Sequence, residues 1–189
     1  MKQRNQTIDL AKGIAIVLMV IGHCYCSENV VLVTIYAFHM PTFFILSGLV
    51  YAQKWKSRIE FNLVLLCCRM LVPYLFFDAL FSLFVIVLSQ SGNIFSQFIN
   101  SLFHQVISLK GVTATWFLPC QLMLLCIFVL IERYIPRKLR IIIYFILFAM
   151  GVCSLETKIL VPIQRSFIGA CFFALGFHGS FIFEKKHIM

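Results

Sequence analysis

The stretch Asp9-Leu10-Ala11-Lys12-Gly13-Ile14-Ala15-Ile16-Val17-Leu18-Met19-Val20-Ile21-Gly22-His23 decides how this chain is read. It is an apolar run of membrane-spanning length that keeps a carboxylate, an ammonium and an imidazole. Ionisable groups inside a span are costly unless paired or hydrated, so they mark a functional site by default. Lys12 and His23 are eleven residues apart. That is about three helical turns and ~16 Å of rise, so both project from one helix face. Asp9 lies three residues before Lys12 on the same face, where pairing with the ammonium is expected. His23 then falls roughly two-thirds of the way across a ~30 Å hydrocarbon layer.

Composition extends this reading to the whole chain. Of the 189 residues 61% are hydrophobic, only 12% are charged, and 21 are Phe. The mean hydropathy is +0.96. A soluble domain of this size has too little interior to hide so much apolar surface. The expected fold is all-α: a single polytopic membrane domain of about six spans, near 8–26, 33–52, 61–89, 116–135, 139–155 and 165–183. The net charge of +9 resides in short clusters between the apolar runs. These are topology signals, and a nucleic-acid partner is not expected. With the N-terminus inside, the inner segments hold Lys2, Arg4, Lys54, Lys56, Arg58, Arg133, Arg137, Lys138, Arg140, Lys185 and Lys186, whereas the outer loops hold Lys110, Lys158 and Arg165. That bias places both termini in the cytoplasm, and the first run lacks a signal-peptide cleavage site.

The segment Ser89–Thr115 reads as an outer loop with a short interfacial amphipathic helix, and its blander role is packing at the interface. The eight cysteines have neither CxxC spacing nor a zinc-type histidine partner, so they read as small hydrophobes and no metal is expected. A second polar cluster is Phe38-His39-Met40-Pro41, followed by Ser47-Gly48. Pro41 predicts that the second span is broken there. Ser47-Gly48 has a plain alternative role in close helix packing, and His39 one as a histidine with a satisfied hydrogen bond. A third cluster is Arg69-Met-Leu-Val-Pro73-Tyr74. Arg69 lies about 12 Å into its span, where a guanidinium needs an anion, a polar cavity or a snorkelling path inward.

These blocks resemble the integral-membrane acyltransferases of family 3, which O-acylate surface polysaccharides and related sugars. The likeness is carried by Asp9-x-x-Lys12 with ten residues before His23, by Phe38-His39-Met40-Pro41 leading into Phe43-Phe44-x-x-Ser47-Gly48, and by Arg69-x-x-x-Pro73-Tyr74. Trp116-Phe117-Leu118-Pro119 and Phe172-Phe173-Ala174-Leu175-Gly176 look like later blocks of the same family. The resemblance implies transfer of an acyl group, in the sugar O-acetylase branch an acetyl group, from cytoplasmic acyl-coenzyme A to a carbohydrate hydroxyl. It implies a multi-pass protein of the bacterial inner membrane, with the lipid bilayer as its surroundings and no bound cofactor. His23 and Lys12 map onto the family's functional pair, although Arg is commoner at the second of these positions. Arg69, His39, Ser47, Tyr74 and Trp116 map onto substrate-side positions. Chemically, a neutral imidazole suits removal of a hydroxyl proton near pH 7, and Lys12 and Arg69 suit coenzyme A phosphates.

The family usually has about ten spans, so the chain is expected to be the N-terminal part of the domain and inactive alone. Completion by a missing C-terminal half or by a homo-oligomer is the corresponding partner expectation. Two other classes use the same residues: a small transporter with His and Lys on a proton or anion path, and a non-catalytic membrane subunit. No inverted repeat favours the transporter.

Overall fold

A computed structural model describes residues 6–24, 30–56, 63–89, 99, 116–154 and 161–186. Apart from short turns, these residues are helical. The helices are α1 (Gln6–Cys24), α2 (Val30–Lys56), α3 (Leu63–Ser89), α4 (Phe117–Tyr134), α5 (Arg137–Cys153) and α6 (Val161–Lys186). Each expected span overlaps one helix, and the ends differ by at most four residues. Among the described residues, four stretches are long and apolar enough to cross a membrane: Gln6–Cys24, Val33–Gln53, Cys67–Leu88 and Phe117–Tyr134. Helix α5 is shorter, at 17 residues, or about 25 Å. The expected interfacial helix within Ser89–Thr115 lies, apart from Ser89 and Ile99, outside the described residues.

One expectation is corrected. Helix α2 runs without a break through Phe38-His39-Met40-Pro41, with Pro41 inside it. The proline removes one donor, but neighbouring side chains bond to the carbonyls around it. Thr42 Oγ1 donates to the Phe38 carbonyl at 2.8 Å, and His39 Nδ1 meets the Ile35 carbonyl at 2.7 Å. The carbonyl that loses its helical donor is that of Ala37, and these two side-chain bonds flank it without replacing that bond. Helix α3 likewise continues through Pro73. Pro119 and Pro162 sit in the first turns of α4 and α6, where no intrahelical donor is missed.

The chain divides into two compact units. In the unit of residues 1–59 and 171–189, α1 packs along α2, and α2 meets the last part of α6 at a glycine contact. A Cβ on Gly48 would lie 2.1 Å from the Phe173 carbonyl oxygen, and one on Gly176 would lie 2.0 Å from that of Ile45. Only glycine permits backbones that close. The Tyr51 ring packs against Phe173 and Phe177, with centroids 5.7 and 6.1 Å away.

In the unit of residues 60–170, α4 packs against both α3 and α5. Leu124 and Phe128 are fully buried, and Phe128 stacks on Tyr144 at 6.3 Å. The α4–α5 turn is held by Arg140. Its Nη1 pairs with the Glu132 carboxylate, its Nη2 donates to the Glu132 carbonyl at 2.7 Å, and its Nε donates to the Ile135 carbonyl at 2.9 Å. Along α3 the large apolar side chains of Phe76, Phe77, Leu80, Phe81 and Phe84 are exposed. An apolar face of that extent suits lipid and is foreign to a water-facing helix.

Candidate functional site

His23 sits in the last turn of α1 with its imidazole exposed. Its neighbour across the α1–α2 contact is Tyr36. The Tyr36 hydroxyl lies 3.4 Å from His23 Nδ1 and donates to the Gly22 carbonyl at 3.2 Å. The phenol ring also meets His39, three residues further along α2. Ring centroids are 5.9 Å apart for His23–Tyr36 and 5.3 Å apart for Tyr36–His39, both edge-on. His39 is only 2% exposed, and its Nδ1 donates to the Ile35 carbonyl, which can only accept. The structure therefore joins His23 and His39 through a residue that was not singled out from sequence. The Tyr-x-x-His spacing, which places Tyr36 and His39 on one helical face, was the available signal.

Lys12 lies partly buried on α1, eleven residues before His23. The expected Asp9–Lys12 pair does not form: Lys12 makes no hydrogen bond or ion pair among the described residues. Asp9 lines a groove of about 450 Å³ along α1, with Leu10, Gly13, Ile14, Val17 and Leu18. Ser47 is partly buried beside the Gly48 contact.

In the other unit, Arg69 and Tyr74 diverge. Five residues of helix turn a side chain by about 140° relative to its starting direction. Arg69 is exposed, whereas Tyr74 is buried and hydrogen-bonds Asp78 one turn on. Asp78, at 1% exposure, and Ser82 continue the same buried face. Asp78 was not singled out from sequence either, although a lone carboxylate amid the apolar run 61–89 was its signal. Trp116 precedes α4 and is partly buried, with the Arg165 guanidinium 4.0 Å from its ring centre. Beside it, the Ser166 hydroxyl donates to the Cys120 carbonyl at 3.0 Å. Gln121 is buried, and its Oε1 meets no donor among the described residues.

The first unit offers an exposed imidazole oriented by a phenol and a cation on α1, and the second unit, taken by itself, offers a cation on α3 and an aromatic ring stacked with a guanidinium. Proton removal from an approaching hydroxyl is the chemistry that suits an imidazole so placed. A family model described as an acyltransferase domain, the acyltransferase 3 type, matches residues 5–186. Comparison with curated proteins and with solved structures gives no match.

Proposed function

Because the chain belongs to the acyltransferase 3 family, a family of membrane acyltransferases, we propose that it moves an acetyl group from acetyl-coenzyme A to a sugar hydroxyl. The acceptor is a surface polysaccharide or its lipid-linked precursor, and the setting is a bacterial inner membrane with residues 2 and 185 on the cytoplasmic side. The observation that carries the chemical reading is the exposed imidazole of His23, held through Nδ1 against Tyr36. In this reading His23 takes the proton of the sugar hydroxyl as its oxygen attacks the thioester carbonyl. The tetrahedral adduct collapses, the carbon–sulfur bond breaks, and the departing thiolate takes the proton back. The products are the sugar ester and free coenzyme A.

Lys12 and Arg69 are each assigned to donor phosphates, as cations on the cytoplasmic part of their own helices. Trp116 is assigned to the acceptor, since an indole face suits the C–H face of a sugar ring. His39, Ser47 and Tyr74 are assigned supporting roles, because each is at least partly packed within its helix bundle. The test is incorporation of label from acetyl-coenzyme A into the polysaccharide fraction of native membranes, with and without the gene. Label that depends on the gene supports the assignment, and equal label in its absence overturns it.

A further inference from the structure

We propose that Tyr36 is a positioning residue that fixes the tautomer of His23, holding the proton on Nδ1 and leaving Nε2 as the basic nitrogen. The inference rests on reading His23 as the base, and it comes from counting protons at one hydroxyl. Tyr36 has a single O–H donor and two polar neighbours: the Gly22 carbonyl at 3.2 Å and His23 Nδ1 at 3.4 Å. Gly22 lies in the last turn of α1, which ends at Cys24. The Gly22 carbonyl can only accept, whereas His23 Nδ1 donates or accepts according to the tautomer. The shorter contact and this accept-only partner both draw the phenol proton to Gly22.

The phenol oxygen then faces Nδ1 with lone pairs only. A bare Nδ1 opposite it would set two acceptors against each other. The protonated Nδ1 donates instead, and the neutral ring must carry its basic lone pair on Nε2. The same contact serves the imidazolium that forms during transfer, because Nδ1–H keeps its acceptor whether or not Nε2 is protonated. No rearrangement is needed at the moment of reaction. A carboxylate does this in serine hydrolases, and here a neutral phenol anchored on the end of α1 takes that place. His39 closes the other side of the ring at 5.3 Å.

Nitrogen-15 NMR of histidine-labelled protein in lipid nanodiscs reads the tautomer directly. The chain has five histidines, and His23→Gln assigns the resonance by difference. Where the ring is neutral, wild type should give a protonated, pyrrole-type Nδ1 and a pyridine-type Nε2. Tyr36→Phe keeps the ring and removes the oxygen. Its His23 should shift toward the opposite tautomer, with kcat falling about tenfold, as expected for one lost hydrogen bond, and KM values unchanged. A pyridine-type Nδ1 in wild type, or an unaltered tautomer in Tyr36→Phe, overturns the assignment. The NMR result stands apart from activity. If His23→Ala retained full transfer, the reading of His23 as base would fall while the spectrum still decided what Tyr36 does.

Discussion

At the scale of single residues, the ionisable groups divide by whether their helix face turns inward. Arg69 is exposed while Tyr74, five residues on, is buried with Asp78, so the Arg-x-x-x-Pro-Tyr block presents its two polar residues on different faces of one helix. Lys12 makes no hydrogen bond or ion pair among the described residues. Lys12→Gln and Arg69→Gln should each raise the KM for acetyl-coenzyme A roughly tenfold, the value of one charge-assisted hydrogen bond. Lys12→Arg should be tolerated. Initial-rate measurements over a range of donor concentrations decide the matter, and unchanged KM values would leave both cations with structural roles. His23 and Lys12 were legible because ionisable residues stand out in an apolar run. Asp78 stands out in the same way in α3 but belongs to no recognised block. Tyr36 was hidden for a different reason: its part depends on a contact between α1 and α2, which one-dimensional spacing does not display.

At the scale of elements, glycine and proline were the hard residues to place. Pro41 argues locally for a break, yet side-chain bonds to the carbonyls of Ile35 and Phe38 accompany a continuous helix. Ser47-Gly48 admits two readings from sequence, and the structure makes Gly48 a point of backbone contact with α6. The Phe172–Gly176 block supplies the matching glycine, so two family blocks meet as one helix crossing. Gly48→Ala and Gly176→Ala should each destabilise by about 1–3 kcal/mol, since the new methyl overlaps a backbone carbonyl. A Cβ on Gly13 would meet nothing within 4 Å, and Gly13→Ala should be neutral or stabilising by up to about 1 kcal/mol. Thermal unfolding in detergent compares the three, and equal melting temperatures would contradict the crossing. The α4–α5 turn gives a second case. Arg140→Gln removes a carboxylate pair at a largely buried Glu132 and should cost about 2 kcal/mol in the same assay.

At the scale of the whole molecule, composition settled the class, because 61% hydrophobic residues in 189 exceed what a soluble core holds. Helix ends followed from where polar clusters interrupt the apolar runs. The helix contacts inside each unit were beyond pattern reading, since periodicity within a helix carries no distance between helices. The basic residues of the α4–α5 turn, Arg133, Arg137, Lys138 and Arg140, predict a cytoplasmic turn. Reporter fusions at residues 110 and 185 should report outside and inside respectively, and the reverse pattern would invert the orientation. We propose that this family member transfers an acyl group with His23 as its base. That assignment is tested most directly by replacing His23 with Ala in the native gene and measuring label transfer from acetyl-coenzyme A in the resulting membranes. The account predicts a fall of about 10²–10⁴-fold, the usual contribution of a general base, with the protein still inserted at its normal level. Transfer at the wild-type rate in that variant would contradict it.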